Sequence, residues 1–132
     1  MGYRSTIIFG VEQSHAPKLD DILKDWEMTP HERVHKVYPN YEMVKDKFGD
    51  FKSWKKTDDL QMVIYKFEYQ KWYEDYDDVR AVTKYLEELH EEVVGAEETT
   101  FLVGLGEQGE THSEIGDWYN YVDHISKLEI QE

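Results

Sequence analysis

The sequence predicts one α+β domain over residues 1–132, a two-layer sandwich in which helices cover one face of a mostly antiparallel sheet. Segments with the two-residue alternation of strands and segments with helical spacing follow one another along a chain long enough for one core. Aromatic residues make up 14% of the chain, which is too many for a disordered acidic tail. We therefore expect an aromatic core.

The chain opens with a predicted strand and a predicted helix. Residues 6–11 are apolar and β-branched, which is typical of a buried strand. Residues 19–26 place apolar side chains at helical spacing, with charged side chains between them. We expect a helix here that ends before Pro30, because the residue that precedes a proline disfavours helical geometry.

Residues 27–59 show no dominant period and are the hardest part to interpret. Residues 33–38 predict a short strand. Asn40 is a good helix N-cap and Gly49 is a good helix stop, so we expect a helix over residues 41–48.

The clearest strand pattern covers residues 60–73. The side chains that share its first face are Val63, Tyr65, Phe67 and Tyr69. The second face is apolar between Leu60 and Ile64, which predicts that this end of the strand is covered on both sides.

The second half predicts one long helix and two further strands. Apolar residues recur in steps of three and four along residues 75–93, and Gly95 ends the pattern. We expect strands over residues 99–105 and 118–130, the latter with a bulge near Tyr121, separated by a polar glycine-rich loop. This element order suits a ferredoxin-like arrangement with an added C-terminal strand.

The net charge of −14 lies entirely in one half of the chain. Residues 1–73 hold 12 Lys and Arg against 12 Asp and Glu, whereas residues 74–132 hold 3 against 17. Nucleic acids and anionic membranes carry negative charge themselves, so we expect neither as a direct partner. Such asymmetry indicates a charged surface with a purpose.

Cysteine usage and apolar runs predict the compartment. The absence of cysteine excludes disulfides, thiolate metal sites and a cysteine nucleophile, and it fits a reducing environment. No apolar run is long enough to span a bilayer, and the first residues lack the apolar stretch of a secretion signal. We expect a small soluble intracellular domain.

Five lysines lie close together in the first half of the chain. They are Lys45, Lys47, Lys52, Lys55 and Lys56. Because aromatic residues such as Trp54 lie nearby, one interpretation is contact with nucleic acid. The other is a surface that meets an acidic face of the same fold, and the negative charge of the whole chain favours it.

The histidines raise the question of a metal or acid–base site. His31 and His35 have the four-residue spacing of two zinc ligands on a helix, but the pattern H-E-x-x-x-H does not match the zinc-protease motif. We expect ordinary surface or core histidines there.

A second group of titratable residues occupies the glycine-rich loop. His112 lies among four carboxylates, which are Glu107, Glu110, Glu114 and Asp117. An imidazole beside carboxylates can act as an acid–base pair or bind a divalent cation. The alternative function is therefore a small enzyme or metal-binding module that uses residues 107–117.

Residues 104–109 have the spacing G-x-G-x-x-G of a dinucleotide-binding loop. No helical pattern follows them, and Glu107 and Glu110 would repel a pyrophosphate. We expect a hairpin or loop here. The chain shows no recognisable Ser-His-Asp set, and we expect no enzyme, no metal and no cofactor.

Nine carboxylates around the long predicted helix are the candidate partner-binding residues. They are Asp75, Asp77, Asp78, Glu87, Glu88, Glu91, Glu92, Glu97 and Glu98. Pairs four residues apart on a helix lie roughly 5–6 Å apart at Cβ, so such rows can imitate the charged edge of a DNA duplex. The alternative interpretation is a solvated helix face.

Three stretches of the sequence resemble a family of short uncharacterised bacteriophage proteins. They are residues 2–5 (GYRS), residues 71–79 (KWYEDYDDV) and residues 104–107 (GLGE). The resemblance implies a phage accessory protein that acts in the cytoplasm of the infected bacterium. It supplies no catalytic residue.

The charge asymmetry and this resemblance lead to one functional hypothesis. We expect a non-enzymatic acidic protein that binds a basic host protein through a carboxylate-rich, DNA-mimic-like face. Proteins that handle nucleic acid display basic surfaces by necessity, so the expected effect is inhibition or modulation of such a protein, including host defence systems.

Overall fold

A computed structural model describes residues 4–124 and 128–131, and in that part of the chain nine strands and two α-helices form. In chain order these are β1 (Ser5–Glu12), α1 (Ala16–Asp25), β2 (Glu32–Tyr38), β3 (Tyr41–Lys45), β4 (Phe51–Lys56), β5 (Leu60–Gln70), α2 (Asp77–Glu92), β6 (Phe101–Gly106), β7 (Thr111–Ile115), β8 (Val122–His124) and β9 (Leu128–Ile130). Neither helix has the length and apolar character that crossing a membrane requires.

Five strands form one antiparallel sheet in the order β2-β5-β1-β6-β7. Strands β1, β2, β5 and β6, with α1 after β1 and α2 after β5, reproduce the ferredoxin-like order. Strand β7 extends the sheet beyond β6. The predicted α+β class is confirmed, but the strand added to the sheet is β7, in the segment predicted to be a loop, and not residues 118–130.

An aromatic core joins the helices to one face of the sheet. The ring centroids of Phe9 and Tyr65 lie 5.2 Å apart, and those of Phe9 and Phe67 lie 5.8 Å apart. Helix α2 adds the buried side chains of Val82 and Leu86 to the same core. These side chains come from β1, β5 and α2, so the prediction of an aromatic core is confirmed.

The opposite face of the sheet is also covered. Tyr121 stacks on Phe101 with ring centroids 4.8 Å apart, and its hydroxyl donates a 2.8 Å hydrogen bond to the backbone carbonyl of Glu98. Burial raises the pKa of Tyr121 to about 12. Met62 and Ile64 are fully buried in this second core. The predicted covering of both sides of β5 is therefore confirmed.

The predicted helix over residues 41–48 is wrong, because this segment forms β3 and a turn. The Asp46 carboxylate accepts hydrogen bonds from the backbone N–H groups of Phe48 and Asp50, at 2.8 and 3.0 Å. Gly49 has φ of +85° and completes the turn into β4. The polar residues therefore cap a hairpin turn, a role that they also favour. The short strand over 33–38 is confirmed as β2.

The last segment is also more broken than predicted. Residues 118–130 hold a 3₁₀ turn over Trp118–Asn120 and then the short strands β8 and β9, in place of one bulged strand. Residues 125–127 lie outside the described part. The glycine-rich segment is a tight hairpin between β6 and β7, so no helix opens after the G-x-G-x-x-G letters.

Candidate interaction surface

Helix α2 presents one apolar side to the sheet and one charged side outward. Its buried side chains are Val79, Val82, Tyr85, Leu86 and Leu89. Asp77, Glu87, Glu88, Glu91 and Glu92 are all exposed. The sequence produces this arrangement because its apolar residues recur in steps of three and four.

The predicted carboxylates fall into two groups on the structure. Asp75, Asp77 and Asp78 lie at the N-terminal end of α2. Arg80 and Lys84, which are both exposed, separate them from the glutamates further along the helix. The nine residues therefore do not form one continuous acidic face.

The N-terminal group has a structural reason to be there. Negative side chains stabilise the positive end of the helix dipole. In addition, the Asp78 carboxylate accepts a 2.8 Å hydrogen bond from the backbone N–H of Val79. These carboxylates would be favourable in any protein with this helix.

The C-terminal group, here called the acidic end, consists of Glu87, Glu88, Glu91, Glu92, Glu97 and Glu98. All six side chains are exposed. Four of them occupy the last two turns of α2, where the helix dipole is negative and glutamate is unfavourable.

Among the described residues, no ion pair neutralises the charges of the acidic end. Over residues 4–124 and 128–131, ion pairs join Arg33 to Asp20, Lys56 to Asp59 and Lys66 to Glu68, and none includes the acidic end. Glu97 accepts a 3.0 Å hydrogen bond from the backbone N–H of Gly95, which shapes the turn after α2. The other five side chains form no hydrogen bond in this part of the chain.

Two valines interrupt the acidic end with apolar surface. Val93 and Val94 follow α2 directly, and Val94 is 99% exposed. Gly95 has φ of +85°, a left-handed backbone geometry that changes the direction of the chain after Val94. The glutamates of the acidic end thus lie on both sides of an exposed apolar turn.

Three of the four carboxylates predicted around His112 have other partners. Glu107 accepts from the backbone N–H of Arg4 at 2.8 Å, and Glu114 accepts from the indole N–H of Trp118 at 2.7 Å. Asp117 accepts from the hydroxyl of Tyr119 at 3.1 Å. These contacts hold separate parts of the β6–β7 hairpin and the turn that follows.

His112 has two serine partners. Its Nε2 lies 2.9 Å from Oγ of Ser5, and its Nδ1 lies 2.9 Å from Oγ of Ser113. Burial lowers the pKa of His112, although the charges of Glu110 and Glu74 oppose that shift. The ring is therefore held neutral, as a bridge between β1 and β7.

The histidine pair of the first half is also separated. His31 lies just before β2 and its Nδ1 accepts a 3.0 Å hydrogen bond from the backbone N–H of Glu68, while His35 lies within β2. Four residues of extended chain span about 13 Å, which is too far for one metal ion. In the described part of the chain no three His, Asp or Glu side chains are placed to hold a metal.

The sequence prediction missed a protruding hairpin, here called the arm, which is β3, β4 and their turn (Tyr41–Lys56). Its strands form a separate two-stranded sheet. Its exposed large apolar side chains are Tyr41, Met43, Phe48, Phe51 and Trp54. The alternation of apolar and polar residues over Tyr41, Glu42 and Met43 is the signal that could have revealed a strand here.

One face of the arm carries exposed apolar side chains beside a lysine. Met43 pairs directly across from Trp54, and Tyr41 pairs across from Lys56, so these side chains share a face. The rings of Phe51 and Trp54 lie 5.6 Å apart. Tyr41 and Trp54 line a shallow apolar depression. The five lysines identified in the sequence all lie on this arm.

Comparison with known proteins adds no assignment. No family model, no curated protein and no solved structure matches this chain. The likeness to short bacteriophage proteins therefore stays a prediction from sequence, and its first stretch begins outside the described residues.

Proposed function

We propose that this chain is a non-enzymatic phage accessory protein whose acidic end binds a basic host protein in the infected bacterial cytoplasm. The observation that carries the proposal is the group of glutamates in the last turns of α2, where the fold gains nothing from them and no ion pair within the described residues offsets them. Binding to a basic surface would explain why glutamates occupy these unfavourable positions.

The density of charge supports a target that handles nucleic acid. Glu87, Glu88, Glu91 and Glu92 lie within five residue steps, or about 7.5 Å along a helix axis. A DNA duplex carries one charge per roughly 1.7 Å of axis, so it holds about four charges over the same length. A basic groove that binds DNA would meet a similar density of negative charge at this helix end.

The cost to stability also supports a role in binding. Like charges four residues apart destabilise a helix by roughly 0.2–0.5 kcal/mol per pair, and Glu87–Glu91 and Glu88–Glu92 are two such pairs. Their position at the negative end of the helix dipole adds to that penalty. Residues that destabilise a fold are common where a surface serves a partner.

Affinity capture from bacterial lysate tests this proposal. The test variant changes Glu87, Glu88, Glu91 and Glu92 to Lys, which moves the net charge from −14 to −6. The matched control changes Asp21, Asp25, Glu32 and Asp58 to Lys, four exposed carboxylates elsewhere, and gives the same net charge. We expect the parent and the control to retain a basic partner at low salt, and the test variant to lose it.

Two results would overturn the proposal. The first is equal recovery of the partner by the test variant and the parent. The second is binding that does not weaken as salt is raised, because attraction between exposed charges is screened within about 10 Å at 0.1 M salt.

A further inference from the structure

The arm projects from the domain without a covering layer. Strands β3 and β4 pair with each other and belong to neither of the other sheets. An isolated two-stranded hairpin is marginally stable in water, and the arm also exposes five large apolar side chains. Exposed apolar patches of this kind mark interaction sites. The question is what covers the arm.

The charge of the arm is opposite to that of the rest of the molecule. The arm carries five lysines against Glu42, Asp46 and Asp50, which gives a net charge of +2 in a chain of net charge −14. Of the five lysines of the arm, only Lys56 forms an ion pair with another described residue, with Asp59 at 3.6 Å. The other four lysines are exposed.

The acidic end has the complementary design. It presents the exposed apolar pair Val93 and Val94 between Glu91, Glu92, Glu97 and Glu98. The arm presents Phe51 and Trp54, which is 61% exposed, between its lysines. Each surface has an apolar centre and a charged rim, and the rims have opposite signs. Interfaces with this anatomy exclude water at the centre and gain orientation from the rim.

We propose that the arm of one copy of this chain docks on the acidic end of a second copy. In a two-fold dimer each copy contributes one arm and one acidic end, so the two contacts are identical and the assembly closes. The inference goes beyond host binding, because it concerns the purified protein alone. A nucleic acid is the other occupant that aromatic residues and lysines suggest, and the experiment decides between the two.

A charge-swap experiment tests the dimer. Variant A changes Lys52 and Lys55 of the arm to Glu, which moves the net charge of the arm from +2 to −2. Variant B changes Glu87, Glu88, Glu91 and Glu92 to Lys, which moves the net charge of the acidic end from −6 to +2. Within variant A both surfaces are negative, and within variant B both are positive, so neither should associate with itself. Mixing A with B places opposite charges together at both contacts.

We expect analytical ultracentrifugation to show a dimer for the parent and monomers for A and for B alone. The A–B mixture should form a heterodimer. For A alone and for B alone, the dissociation constant of self-association should be at least about tenfold higher than that of the parent. A control that changes Lys18 and Lys24, exposed lysines of α1, to Glu should dimerise like the parent. Circular dichroism on every variant checks that the fold is retained.

Three results would overturn the proposal. They are a parent that stays monomeric at all concentrations, variants A and B that dimerise alone, and a mixture that fails to associate. A separate titration with a single-stranded oligothymidine, followed by tryptophan fluorescence, detects the nucleic-acid alternative. A monomeric parent whose fluorescence changes on adding the oligonucleotide, but not in a Trp54→Ala variant, would assign the arm to nucleic acid instead.

The same variants separate this inference from host binding. Variant A keeps an intact acidic end, so it should still capture the basic host partner although it no longer dimerises. Variant B should lose both. Capture by A without dimerisation of the parent would retain the proposed function and reject the dimer.

Discussion

At the scale of single residues, His112 shows how a strand accommodates a large side chain. Its ring lies against Gly104 of the neighbouring strand, where an added Cβ would stand 2.5 Å from Cε1 of the ring. Ser113 adopts φ of +56°, an uncommon geometry for a residue other than glycine. The two hydroxyl partners and the glycine together fix the ring in place.

We expect His112 to make stability depend on pH. Because burial lowers the pKa of His112 in the folded state, the unfolded chain binds this proton at higher pH, near about 6.5. The contribution to stability is present above that pH and is lost as pH falls towards the folded pKa. Urea unfolding of the parent and of His112→Gln, compared between pH 5 and 8, should show a shallower loss for the variant. Equal slopes would contradict this assignment.

A second polar contact ties α1 to the sheet. The carboxylate of Asp20 accepts from Nε and Nη2 of Arg33 at 3.0 and 2.7 Å, and from the hydroxyl of Tyr65 at 2.7 Å. Burial alone would raise the pKa of Asp20, but the hydrogen bonds from Arg33 and Tyr65 bring it below its usual value. Tyr65 itself is fully buried.

Asp20→Ala should lower the free energy of unfolding by about 1–3 kcal/mol, because it leaves the buried hydroxyl of Tyr65 without an acceptor. Chemical denaturation measures this loss. Adding Tyr65→Phe should recover part of it, since that change removes the stranded hydroxyl. No recovery in the double variant would show that the loss comes from Arg33 alone.

At the scale of elements, the glutamates in the last turns of α2 lower the stability of the fold. Changing Glu87, Glu88, Glu91 and Glu92 to Lys places positive charge at the negative end of the helix dipole and lowers the net negative charge of the chain, while the repulsion among the four positions stays similar. We expect the free energy of unfolding to stay equal or rise by about 1 kcal/mol, as measured in urea. Val82→Asp is the contrasting change, since it buries an unpaired carboxylate and should unfold the domain. A strongly destabilised Lys variant would mean that these glutamates support the fold.

Long elements with a single dominant period were predictable from the sequence. Helices α1 and α2 each bury one face, which gives the helical spacing of their apolar residues, whereas β1 and β5 bury side chains on both faces and are apolar along most of their buried length. Strand β6 is buried along its whole length, and its apolar and β-branched composition identified it.

Segments whose structure depends on hydrogen bonds of the turn could not be predicted in this way. Asn40 and Gly49 favour a helix boundary and a hairpin turn equally, and the cross-strand pairs of the arm decide between them. Strand β7 is short and polar because it lies at the sheet edge, so its sequence looks like a loop. Tertiary pairing decides in both cases.

At the scale of the whole molecule, the arm should be separable from the domain. Tyr38 and Leu60 are paired partners at the end of the β2–β5 ladder, so a two-residue Asn-Gly turn can join them in place of residues 39–59. We expect the shortened chain to keep its circular dichroism spectrum and its thermal midpoint within a few degrees, because the two cores lie outside the arm. Loss of cooperative unfolding would contradict the independence of the arm.

The sequence identified the charges of the candidate site and missed their organisation. The sequence indicated nine candidate carboxylates and a group of five lysines, but only the structure divides those carboxylates at Arg80 and Lys84 and places the lysines on a hairpin with exposed aromatic residues. Charge is a property of residues, whereas a surface depends on which residues the fold brings together.

The two outer strands of the large sheet determine whether copies of this chain can pair edge to edge. Strand β2 carries Glu32, Arg33 and Lys36 along one border, and the left-handed Ser113 and a register shift break the ladder of β7 at the other. Charged and irregular sheet edges are poor templates for pairing with another strand. The large sheet should therefore not extend from one copy of the chain to the next. A concentrated solution of the folded protein should therefore contain discrete particles and stay clear instead of forming fibrils.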